Sequence, residues 1–179
     1  DEDLAEIATS WDMDKHLKFA IPLPDCRPEI YLDVYLPRVV YLAVNARQRR
    51  TRVSACEFLH VSLLFLLGKS ATQTQEKSFI FLYKQMFPTI VKLAGDEDQV
   101  IQNLFQPLLT QTIHWLTRVG TSNRQRHEEA TCLLDCILEG LCDSENYSSR
   151  LASAKHLQEY MKWCIKQTTS SKHRTHLDP

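Results

Sequence analysis

The sequence predicts an all-α protein built of stacked helical hairpins, and three observations carry that prediction. Apolar residues recur at helical spacing in separate runs, such as Leu32, Leu36, Val40 and Ala43, or Leu82, Met86, Ile90 and Leu93. Only four of the 179 residues are glycine while Leu, Gln and Lys abound, a composition that favours helices over strands. A proline-bearing block, Pro37-Arg38-Val39-Val40-Tyr41-Leu42-Ala43, returns as Pro88-Thr89-Ile90-Val91-Lys92-Leu93-Ala94, which points to an internal repeat.

The elements follow in order. Residues 1–28 form an acidic start and a proline-rich connector, because Pro22, Pro24 and Pro28 disfavour helix at themselves and at the residue before, leaving Ala20 to Arg27 extended. Residues 29–68 make the first hairpin: the Leu32 to Ala43 pattern, a turn at Asn45 to Gln48, then Val53, Cys56, His60, Leu63 and Leu67 on a second helix that Gly68 can end. A polar loop is expected over 69–78, rich in Ser, Thr and Gln.

The second hairpin, 79–119, carries Leu82 to Leu93 on its first helix and Val100, Leu104, Leu108 and Leu116 on its second. Gly95 lies between them, and Asp96 with Gln99 fits a capping box. After a loop at 120–126, the third hairpin, 127–167, places Ala130, Leu134, Ile137 and Leu141 before a turn at Asp143 to Tyr147, then Leu157, Met161 and Cys164. Residues 168–179 lack periodicity and are expected to be a linker or truncated end.

A proline in the first helix of a hairpin, an Asp- or Asn-bearing turn and a valine early in the second helix is the pattern of HEAT repeats, in which that proline bends the helix so that neighbours stack. The expected architecture is therefore a HEAT-like α-solenoid of about three hairpins. Each hairpin of a solenoid buries its faces only against its neighbours, so helices such as Tyr31 to Val44 are apolar almost all round and both ends should be sticky.

Composition excludes several functions. A formal net charge of −1 removes any chain-wide attraction to nucleic acid or membrane, so such a role must be local. The six cysteines lie mostly within apolar helical patterns and read as free thiols of a reducing compartment, cytosol or nucleus. The apolar run Val61 to Leu67 is interrupted by Ser62 and is far shorter than the roughly 18 residues of a membrane span. The acidic start Asp1-Glu2-Asp3 is opposite to a signal peptide's basic one and is expected to be a cut within a longer chain. No glycine-rich phosphate loop, Asp-Phe-Gly or catalytic-loop Asp with a following Asn is found, so the chain is expected to be non-catalytic and to hold no cofactor.

Extended blocks carry a family resemblance: Ser10-Trp11-Asp12-Met13-Asp14-Lys15, Tyr31-Leu32-Asp33-Val34-Tyr35-Leu36-Pro37-Arg38, Ala55-Cys56-Glu57-Phe58-Leu59-His60, Asp96-Glu97-Asp98-Gln99-Val100, Leu133-Leu134-Asp135-Cys136-Ile137-Leu138-Glu139-Gly140 and Lys162-Trp163-Cys164-Ile165-Lys166-Gln167. In these the chain resembles the helical-repeat region of the DNA-dependent protein kinase catalytic subunits, within the phosphatidylinositol-3-kinase-related kinase family. The resemblance implies a scaffold segment of a nuclear, DNA-activated serine/threonine kinase of double-strand break repair by non-homologous end joining. It implies flanking helical repeats, the Ku heterodimer and DNA ends as partners of the whole protein, with ATP and Mg held in a kinase domain elsewhere. The competing reading is a HEAT or armadillo adaptor of transport or phosphatase-scaffold type, unrelated to DNA.

Five groups of residues are candidate sites. Arg47, Arg49, Arg50 and Arg52 gather guanidinium groups on a turn and the first turn of a helix, where the dipole disfavours cations but favours a bound phosphate or acidic partner; the plainer alternative is a solvated basic turn. Thr72 and Thr74, each followed by Gln in the expected loop, match the preference of the kinases this chain resembles and are candidate phosphorylation sites, Thr72 first; Thr110-Gln111 sits in a helix. Cys132, Cys136 and Cys142 with His127 invite zinc, but the first two are one helical turn apart in an apolar face with no Cys-x-x-Cys pair, so core packing is expected. Cys56 and His60 lack the orienting acid and oxyanion site a hydrolase needs. Trp115 and Trp163 read as packing anchors and not as base-stacking platforms.

Overall fold

A computed structural model describes residues 18–20, 24–26, 29–72, 76–119 and 124–174. Two short strands, β1 (Lys18–Ala20) and β2 (Glu29–Tyr31), precede six helices: α1 (Leu32–Asn45), α2 (Arg49–Thr72), α3 (Glu76–Ala94), α4 (Gln99–Val119), α5 (Arg124–Leu141) and α6 (Tyr147–Arg174). The fold is all-α and built of helices in hairpin succession, as expected. β1 and β2 lie on either side of the proline-rich segment and pair antiparallel, with Phe19 opposite Ile30.

Helix boundaries differ too. Helix α2 passes through Gly68 to Thr72, and α3 starts at Glu76, not Phe79, so the loop expected over 69–78 is mostly helix. Helix α5 starts at Arg124 inside the expected 120–126 loop, and α6 continues past Gln167 to Arg174. Ser, Thr, Gln and Lys lengthen a helix without an apolar pattern to mark it, because their helix penalties are small.

Two compact units divide the chain, Asp1–Tyr83 and Lys84–Pro179. In the first, α1 packs on α2 around Leu36, Ala43, Cys56, Leu59 and Leu63. The thiol of Cys56 donates to the Ala43 carbonyl at 3.6 Å and ties the two helices. In the second unit α4 packs on both α5 and α6, and α5 on α6, around Phe87, Phe105, Ile101, Leu108 and Ile113. Tyr160 of α6 donates to the Ala130 carbonyl of α5 at 3.2 Å.

Prolines stand inside helices at Pro37, Pro88 and Pro107. Each removes one backbone donor, a cost of about 3 kcal/mol in a free helix, which tertiary burial must offset. Ser62, Thr112 and Thr117 are buried, yet their hydroxyls bond the carbonyls of Phe58, Leu108 and Ile113 one turn back. They are satisfied inside their own helices, and such back-bonding adds to helix bending.

The turns before α4 and α6 share one chemistry. Asp98 caps α4, its carboxylate accepting the Val100 amide at 3.0 Å, and Asn146 caps α6 by accepting the Ser149 amide at 3.0 Å. Upstream of each, an aspartate orders the turn: Asp96 accepts the Asp98 amide, and Asp143 accepts those of Glu145 and Asn146. The expected capping box on Asp96 and Gln99 is thus corrected; Asp96 shapes the turn and Asp98, directly before the helix, is the cap.

Two glycines mark close approaches. None of the described glycines has a positive φ, so Gly95 is not a left-handed helix stop. A Cβ on Gly95 would stand 2.9 Å from the Ser149 Cα of α6. One on Gly140, inside α5, would fall onto the Ser153 hydroxyl and lie 3.5 Å from Val91 Cγ1.

Candidate functional site

The arginine turn opens α2. Arg47 is exposed in the turn, Arg49 and Arg50 are exposed in the first helical turn, and Arg52 is half-buried. No acidic residue occupies that first turn, so the positive end of the helix dipole faces several cations. Gln48 precedes the helix, and its side-chain oxygen lies 3.5 Å from the Thr51 hydroxyl. The structure therefore keeps the four arginines on one short segment.

Arg50 also borders an open depression of about 470 Å³ whose walls are Val39 and Leu42 of α1 and Thr51, Ser54, Ala55 and Phe58 of α2. Phe58 is 50% exposed and rests against the Tyr35 ring, centroids 5.5 Å apart and planes tilted by 58°. This groove was not legible in the sequence, since it needs the crossing of α1 on α2. The signal that pointed towards it was the all-round apolar character of these helices.

The candidate phosphoacceptors separate. Thr72 is the last residue of helix α2 and so does not sit in the expected loop, while Thr74 lies outside the described residues.

Cys56, Cys132 and Cys136 sit as packing groups, whereas Cys142 departs from the expected core packing. Cys56 is buried with its thiol on Ala43, and burial lowers the pKa of half-buried His60. Cys132 and Cys136 are half-buried on α5 while Cys142 is exposed after it. Burial first, then Cys132 and the carboxylates of Glu139 and Asp135, pushes the Cys136 thiol up to about 12, which makes it a poor nucleophile and metal ligand at neutral pH. The His127 side chain lies outside the described ones. Among the described residues no three His, Cys, Asp or Glu side chains are grouped to hold a metal ion.

Trp115 and Trp163 are half-buried. Trp163 of α6 meets His114 of α4 with centroids 3.9 Å apart, and the Lys166 ammonium stands 4.7 Å from the Trp163 ring centre. That ring is occupied by protein contacts across the α4–α6 junction. A second histidine reinforces the junction: His156 of α6 is buried, its Nδ1 lies 2.7 Å from the Ala152 carbonyl, and the Gln106 carbonyl of α4 also bonds the ring. The sequence reading missed both histidines, because an i, i+4 pattern does not reveal which partner helix a polar ring reaches. No helix of the described residues is long and apolar enough to cross a membrane.

The fold and these residues define a class: an all-α chain of helical hairpins whose polar groups serve caps, turns and helix junctions, with a cationic turn opening α2. Residues 77–177 match the family described as DNA-dependent protein kinase catalytic subunit, CC1/2. The chain is 43% identical over 164 residues to the DNA-dependent protein kinase catalytic subunit of Mus musculus, covering 89% of this chain and 4% of that protein. It is 41% identical over 173 residues to that of Canis lupus familiaris, covering 94% and 4%, and 37% identical over 163 residues to that of Dictyostelium discoideum, covering 89% and 4%. The chain belongs to the DNA-dependent protein kinase catalytic subunit family and spans about 4% of the length of these relatives.

Proposed function

We propose that this chain is a non-catalytic scaffold segment of a nuclear DNA-activated serine/threonine kinase acting in double-strand break repair by non-homologous end joining. The observation that carries this reading is the family match over a segment made of helical hairpins. Exposed apolar side chains on both units, among them Phe58, Val61, Met161 and Ile165, support it, since a repeat buries its faces against its neighbours. Under this reading the partners in contact with the segment are flanking helical repeats of the same polypeptide. The Ku heterodimer and DNA ends bind the assembled protein, and ATP and Mg belong to its kinase domain. Thr72 and Thr74 remain candidate sites for phosphorylation by that kinase.

The test is DNA-end binding by the full-length protein with Arg47, Arg49, Arg50 and Arg52 changed to Gln, titrated across salt. A pure scaffold keeps both affinity and salt slope, because no phosphate contact is lost. A fall in both overturns that reading and makes the arginine turn a direct phosphate contact, each released counterion steepening the slope by about 0.9.

A further inference from the structure

We draw no further inference here: the strongest candidate, the side-chain cluster of His114, His156 and Trp163 where α4 meets α6, is occupied by contacts within the fold, and the burial-lowered pKa of His156 by itself makes a contribution to folding stability and not a site.

Discussion

The α1–α2 hairpin of the first unit and helix α4 of the second solve the same burial problem with different numbers of described partners. Helix α4 meets two helices, α5 and α6, so one face closes completely on Ile101, Phe105, Leu108 and Ile113. In its own unit α2 has α1 as its partner; Cys56, Leu59 and Leu63 are buried there, while Phe58, Val61 and Leu64 face outwards. A helix that is apolar nearly all round needs more partners than one neighbour supplies. The difference leaves Phe58, Val61 and Leu64 of α2 facing outwards.

Core truncation gives the largest contrast. Phe105→Ala removes a fully buried ring from a helix with two partners and should cost about 3–5 kcal/mol, against the lower end of about 2–5 kcal/mol for Leu59→Ala in the hairpin. Urea unfolding of both variants measures this, and equal losses would erase the distinction. Gly140→Ala comes next: the new methyl meets Ser153 of α6 and approaches Val91, costing about 1–3 kcal/mol by overpacking. Ser153→Gly in the same chain should restore part of that loss if the close approach is the cause.

Smaller again are the caps, where Asp98→Ala and Asn146→Ala should each cost about 1 kcal/mol while Gln99→Ala, outside the cap, changes little. The smallest effect is a pH dependence. Burial holds the His156 imidazole below its ordinary value despite two carbonyl partners. As pH falls the unfolded chain therefore takes the proton first. The contribution is intact above about 6.5, the unfolded value, and is lost as pH falls from there towards the lower folded value. His156→Gln should make the decline in stability between about pH 7 and pH 5 shallower, with His60, shifted the same way, supplying part of what remains.

Helix order was legible in the sequence because apolar spacing marks a buried face, as Met86, Ile90 and Leu93 did for α3. The extensions of α2 to Thr72 and α6 to Arg174 were not, because their residues are polar and a helix end needs no apolar pattern to continue. Asp98 was passed over as a cap because Asp96 offers the same side chain two residues earlier, and hydrogen-bond geometry alone separates them. The close approaches at Gly95 and Gly140 depend on the small side chains of α6 placed against them. Of the candidate site, the arginine turn was visible as a run of charge, whereas the groove beside it depends on the pairing of α1 with α2.

The central claim is that the outward apolar faces belong to a repeat and await neighbours. The most direct measurement is the thermal unfolding midpoint of this chain alone against the same chain carrying one flanking hairpin at each end, taken from a long relative. Capping those faces should raise the midpoint by several degrees, as nearest-neighbour stabilisation in repeat proteins requires. An unchanged midpoint would contradict the account, because it would mean that Phe58, Val61, Met161 and Ile165 are ordinary surface residues and not the faces of a stack.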